Sequence, residues 1–283
     1  MNNKKTLFGI VFVLISVISF AMYYFVKPSV VLSQNGYYVS EYARISEQEW
    51  ERHNISNMRF ENPEELLLEI DEYVQELEKL IDREDWDTEL RQINGRDFDT
   101  IIEVEFTYDY HSRAIGAGTQ RSNYSTNISP KIKLSRRSIE RGYEEIAHEL
   151  THIISPIYQS VSLNEGLACY VNDVIGRGTV RLLDNQEIHR RALSFIDNDE
   201  VMKFVGNDST DVYDIYTSYT SVRNEFYVLS YSFVSYLIEK YGMESFLKVY
   251  SSKDTVETYS EVYNRQYVEL ISDWKKHLKT FEE

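Results

Sequence analysis

Apolar and polar residues alternate along this chain at two spacings, and a longer unbroken run precedes both. Thr6–Val26 carries no charge, follows Lys4 and Lys5, and is closed by Lys27 and Pro28. A run of that length crosses a bilayer as a helix. The lysines ahead of it predict a cytoplasmic N-terminus, with the chain beyond residue 27 outside. Cleavage after Ser19-Phe20-Ala21, giving a secreted protein, is the alternative. The apolar run continues through Tyr23–Val26, however, which favours an uncleaved anchor. Residues 28–61 are polar and aromatic without a period and read as a linker into the domain, 62–283.

Asn62-Pro63-Glu64-Glu65 opens a helix: a capping side chain, proline at the first position and carboxylates in the first turn. Leu66, Leu67, Ile70, Val74, Leu77 and Ile81 continue it at helical spacing to about Asp82. The period then changes to two. Ile101–Tyr108 and Lys131–Leu134 alternate as strands, with a Gly/Ser/Thr/Asn-rich loop or hairpin over Ala114–Ser129. Helical spacing returns at Ile139, Tyr143, Ile146, Leu150 and Ile153, one stripe of one helix. Pro156 ends that helix, and the residue before a proline is biased out of the helical region. A second helix is predicted from about Leu163 to Ile175. Further helices follow at Gln186–Ile196, Asn224–Tyr241, Glu244–Tyr250, Val256–Tyr263 and Tyr267–Lys279, with a polar, Tyr-rich loop over Asn207–Ser221. The pattern predicts an α+β fold: a small mixed sheet with two central helices over about 96–175, then a helical lobe over about 176–283.

Charge and cysteine content narrow the function. The net charge is −16 and the pI near 4.9. No basic patch offers itself to nucleic acid, so no nucleic-acid partner is expected. The single cysteine, Cys169, excludes an intrachain disulfide framework and reads as a small buried hydrophobe. The sequence is silent on oligomeric state.

The candidate chemistry lies at His148-Glu149-Leu150-Thr151-His152. On a helix, H-E-x-x-H sets two imidazoles one turn apart on one face, where they can hold one Zn²⁺ with the glutamate as general base. At about 100° per residue both histidines point away from the apolar stripe. With 6 histidines in 283 residues, chance produces the motif in about one such chain in a hundred. Downstream, Asn164-Glu165-Gly166-Leu167-Ala168 offers Glu165 as third ligand on the next helix. Two imidazoles and a carboxylate leave a fourth position open, as in hydrolytic zinc sites.

The stretch HELTHIISPIYQSVSLNEGLACYV resembles the gluzincin zinc metallopeptidases, the thermolysin-like clan, and within it the peptidase MA-like group. Tyr227 to Gly242, beginning at a tyrosine and ending in Tyr241-Gly242, resembles that group's C-terminal helix. The likeness covers roughly 101–250. It implies a thermolysin-like zincin fold, His148, His152 and Glu165 as zinc ligands, Glu149 as base, and a peptide or protein substrate. It also implies a tyrosine that hydrogen-bonds the oxyanion: Tyr227 first, Tyr231 second. In gluzincins the last strand before the motif helix pairs with extended substrate, which here marks 128–135; an ordinary lysine-guarded edge strand fits those residues equally. The chain departs from thermolysin in carrying Cys169 one turn after Glu165, where thermolysin has an aspartate against a zinc-bound histidine. Asp173 and Glu144 are the carboxylates within range for that role. No G-x-M-E-N-type motif is present, which favours endopeptidase over aminopeptidase. A catalytically inactive gluzincin-like surface domain that binds peptide or a partner protein is the rival reading, and the intact Glu149 argues against it.

Overall fold

The computed structural model describes residues 31–33, 35–53, 59–109, 112–115, 129–143, 145–178, 185–208 and 221–282. The apolar run 6–26, Glu144, most of the Ala114–Ser129 loop and most of the Asn207–Ser221 loop lie outside them. No helix among the described residues is long and apolar enough to cross a membrane.

The fold is mixed α+β. Six strands, β1 (Val31–Leu32), β2 (Tyr37–Val39), β3 (Ala43–Ser46), β4 (Ile102–Thr107), β5 (Arg113–Ile115) and β6 (Lys131–Ser135), form one sheet in the order β1-β2-β3-β4-β6-β5. β3 pairs with β4, and β4 with β6, in parallel; the outer pairs are antiparallel. Two expectations are corrected here. The stretch read as a linker, 28–61, supplies three of the six strands and a helix, α1 (Glu47–His53), so the domain does not begin at residue 62. Strands of two to four residues are too short to display a period; pairing partners define them instead. Asp71 fixes the turn into β3, its carboxylate accepting from Ser40 Oγ (2.7 Å), Glu41 N (3.1 Å) and Tyr42 N (3.0 Å). Second, β6 is not an edge strand: it lies between β4 and β5, and β5 is the edge.

β4 alternates as its sequence predicts. Ile102, Val104 and Phe106 face the core, while Glu103 and Glu105 stand opposite Lys131 and Lys133 of β6. Lys133 Nζ lies 2.9 Å from Glu105, and Lys131 also pairs with it. The lysines thus work within the sheet rather than guarding its edge. Packed on the sheet is α2 (Pro63–Ile81), capped by Asn62, whose Oδ1 accepts from Glu65 N at 2.9 Å. Leu66, Leu67, Ile70, Val74 and Leu77 are fully buried along it. A helix the pattern missed, α3 (Trp86–Asn94), follows.

The single helix predicted across Ile139–Ile153 is two: α4 (Arg136–Glu140) and α5 (Ile146–Ile154). Gly142 takes φ 78°. Tyr143 N donates to Ser138 O and Gly142 N to Ile139 O, closing α4 in a left-handed stop that glycine permits. Tyr143, read as part of the apolar stripe, is accordingly 38% exposed. α5 ends where Pro156 requires, with Ser155 extended at φ −62°, ψ 157°. Next comes α6 (Val161–Ile175), capped by Ser160 Oγ.

Among the described residues the chain after 176 is helical: α7 (Asn185–Leu193), α8 (Asp199–Met202), α9 (Ser221–Tyr241), α10 (Met243–Tyr250), α11 (Thr255–Tyr263) and α12 (Tyr267–Leu278). α9 is the axis of this lobe, with Phe226, Leu229, Phe233, Val234 and Leu237 fully buried. It crosses α6 at Gly166, where a Cβ would stand 2.5 Å from both Ser230 O and Val234 Cγ2. Glycine there lets the two backbones touch.

Candidate metal centre

Helix geometry brings the first three side chains together. His148 and His152, four residues apart on α5, set their Nε2 atoms 3.2 Å apart. The chain leaves α5 extended at Ser155-Pro156, turns back over five residues and starts α6 at the Ser160 cap. Glu165 in the early turns of α6 then reaches both rings: its Oε2 is 3.4 Å from His148 Nε2 and 3.6 Å from His152 Nε2. The three ligand atoms lie within 4.8 Å of one another. Glu149, on the same helix, is buried and lines the same cleft.

Behind the ligands runs a hydrogen-bonded line of uncharged groups. His152 Nδ1 is 2.9 Å from Asn164 Nδ2, Tyr250 donates its hydroxyl to Asn164 Oδ1 at 2.7 Å, and Ser155 Oγ is 2.8 Å from that hydroxyl. Asn164, Tyr250 and Ser155 are all buried. A half-turn of the amide offers oxygen instead of nitrogen to Nδ1, and a phenol hydroxyl accepts as well as donates. The line therefore serves either tautomer of His152. His148 Nδ1 faces Cys169 Sγ at 3.9 Å. The places considered for Asp173 or Glu144 are thus filled by Asn164 and Cys169. Asp173 stands by Tyr231 instead, and Glu144 lies outside the described residues. Cys169 is partly buried and packs against the core, as its sequence context suggests, and it also lines the cleft.

Burial and mutual charge set the protonation states. Burial opposes ionisation of Glu165, but His152 and His148 outweigh it and hold its carboxyl far below the usual range. Burial likewise opposes a charge on His148, yet the neighbouring Cys169 sulfur and Glu165 carboxylate leave its pKa well above an ordinary imidazole's. For Glu149 burial prevails over both histidines and pushes the pKa up to about 7. Burial also raises the Cys169 thiol, which stays protonated.

The cleft, about 730 Å³, lies between the sheet and the helical lobe. Ser112, Arg113 and Ala114 line it from β5 and its approach, and Arg191 and Arg223 from the lobe. Tyr227 of α9 also lines it, its ring centre 6.4 Å from that of His148. Burial, reinforced by the Glu165 charge, raises the Tyr227 phenol well above its ordinary pKa, so it remains a donor. Tyr231, one turn on, is also buried and raised, with the Asp173 carboxylate beside it. The three ligand candidates, Glu149 and the two tyrosines named from the sequence therefore line one cleft. Sequence reasoning gave no role to Asn164 or Tyr250, nor to the three cleft arginines. Only Asn164 carried a signal, its place directly before Glu165. No protein-family model matches the chain, and neither the curated proteins nor the solved structures contain a significant match to it.

Proposed function

We propose that this chain is a zinc-dependent metallopeptidase of gluzincin type, with a thermolysin-like catalytic core, held at the outer face of a membrane by its N-terminal apolar segment. The observation that carries the reading is the convergence of two imidazole nitrogens and one carboxylate oxygen, with a separate carboxyl in the same cleft. Two histidines and a glutamate are a donor set of hydrolytic zinc sites, so the residues fit the metal. His148, His152 and Glu165 would hold Zn²⁺, which would supply Lewis-acid chemistry that makes water a nucleophile near neutral pH.

Glu149 is the base in this reading. Buried beside the two histidines in the same cleft, its carboxyl is placed to take a proton from the attacking water and to return it to the leaving amine nitrogen. Tyr227, held protonated, donates to the oxygen of the scissile carbonyl as charge develops on it, a form of electrostatic help that ranks among the largest catalytic contributions. Tyr231 supports α9 beside it through Asp173. Asn164 orients His152, as ring-nitrogen partners of metal-binding histidines do. The sheet edge nearest the cleft is β5, so an extended peptide substrate is assigned to residues 113–115 rather than to β6.

The test is zinc content of the full-length protein, purified in detergent without chelator, beside its Glu149→Gln variant, with both offered a random peptide library. Zinc in both and cleavage by the wild type alone supports the proposal. Zinc without cleavage would favour a peptide-binding surface domain. Absence of zinc from the wild type would overturn the reading.

A further inference from the structure

The helical lobe contains a second group of metal-ligand side chains, remote from the first. His189 of α7, Glu239 of α9 and His277 of α12 each place one ligand atom within 4.8 Å of the other two. His189 Nε2 lies 3.8 Å from Glu239 Oε1. Ligands of a tetrahedral zinc ion stand about 3.4 Å apart, given metal–ligand bonds of about 2.0–2.2 Å. Small side-chain adjustments therefore suffice to close the group on an ion.

The two rings carry the argument. His189 is 2% exposed. Its Nδ1 is fixed 2.9 Å from Ser232 Oγ, which also accepts from Trp274 Nε1 at 3.1 Å. That contact sets the ring plane and leaves Nε2 for another partner. Yet Nε2 of His189 is buried with no hydrogen-bond partner, and so is Nε2 of His277. Buried polar nitrogens are nearly always satisfied, and here two belong to neighbouring rings that each bring a ring nitrogen within 4.8 Å of one carboxylate. Glu239 is exposed at the rim, where a pocket lined by Tyr236, Lys240, Asp273 and Lys276 opens on Glu239 and His277. An ion has a route in, and water has room for a fourth position.

We propose that His189, Glu239 and His277 form a structural site for a divalent transition cation, Zn²⁺ being the fitting choice, that ties α7, α9 and α12 together. Two imidazoles and a single carboxylate select such an ion over Ca²⁺ or Mg²⁺, which require a shell of oxygens. Ser232 orients His189 as a hydrogen-bonding partner behind a metal-bound imidazole does. The site stands independently of the reading of the cleft. The competing account is ring packing alone: His189 meets His277 edge-to-face at 5.0 Å and Phe281 at 5.1 Å.

The experiment strips the full-length protein of metal, titrates it with Zn²⁺ and counts bound equivalents by elemental analysis. It compares the wild type, a His148→Ala/His152→Ala variant, and that variant further carrying Glu239→Gln or His277→Gln. The inference requires the His148→Ala/His152→Ala protein to retain one equivalent and to gain thermal stability from zinc. Adding Glu239→Gln or His277→Gln must remove that equivalent and that gain. Glu239 is at the surface, so its substitution tests the site without opening the core, and a native far-UV spectrum checks His277→Gln. A folded His148→Ala/His152→Ala protein that binds no zinc would overturn the proposal. So would zinc uptake unchanged by both further substitutions, which leaves ring packing as the role of these histidines.

Discussion

The two His–His–Glu groups of this molecule use the same side chains and are built in opposite ways. In the cleft, both histidines lie on one helix and the carboxylate follows one turn of chain later, all between residues 148 and 165. In the helical lobe each residue comes from a different helix, spread from 189 to 277. Helix geometry alone brings the first pair together, since residues four apart share a face wherever the helix sits. Nothing local brings the second group together; it exists only once α7, α9 and α12 have packed. Their surroundings differ as well. Behind His152 runs a line of hydrogen bonds through Asn164 and Tyr250 to Ser155, while behind His189 stand Ser232 and Trp274 and the Nε2 atoms of His189 and His277 have no hydrogen-bond partner. A motif can thus be read from sequence when its chemistry is local, and its support cannot, because that arrives from a distance.

The sharpest way to break this comparison is Glu149→Gln. The cleft should keep its zinc while kcat falls by about 10²–10⁴-fold, the usual contribution of a positioned acid–base group. Undiminished peptide cleavage by this variant would leave the two groups equal in chemistry. Next is Asn164→Ala, expected to weaken cleft zinc by roughly 10–100-fold, read by competition with a chelator of known affinity, and to leave the lobe group untouched. Tyr250→Phe keeps the ring and removes the hydroxyl that holds Asn164; two buried groups lose a partner, and denaturant unfolding should register about 1–3 kcal/mol. An unchanged unfolding midpoint would show the line behind His152 to be idle.

The smallest effect comes from a histidine in neither group. His53 of α1 is buried against Phe106 and Tyr108, with Nε2 3.2 Å from Glu49. Burial lowers its pKa, against the pull of Glu49 and with the help of Arg52 and Arg136. A lowered value means the fold prefers neutral His53. Its contribution is complete above about pH 6.5, the ordinary imidazole value, and is lost as pH falls through the lower folded value. His53→Gln should therefore flatten the decline in stability between about pH 7 and about pH 5. An identical pH profile for variant and wild type would contradict this.

What the sequence revealed follows the same division. The cap at Asn62, the stripe from Leu66 to Ile81, the alternation of Ile102–Phe106 and the stop at Pro156 are local instructions, and the fold obeys them. β1, β2 and β3 were invisible because strands of two to four residues carry no period; their neighbours define them. Gly142 splits the motif helix from its predecessor even though the apolar spacing runs on past it. That spacing recorded the burial of Ile139, Ile146, Leu150 and Ile153 but not the exposure of Tyr143, nor whether the backbone between them is continuous. Cys169 packs against the core as its own helix suggests, and it also lines the cleft because α5 packs across from it. Tyr250 lies 86 residues beyond Asn164, and no local signal joins them.

Gly166 bears on how this protein can change over generations. It directly follows a proposed zinc ligand and sits where α6 meets α9, with no space for even one more carbon. α9 carries Tyr227 near one end and Glu239 near the other, so both groups are surveyed from the same rod. A single added methyl at position 166 shifts the rod, and with it the reference point of both groups at once. The crossing beneath the cleft is closed to any larger side chain.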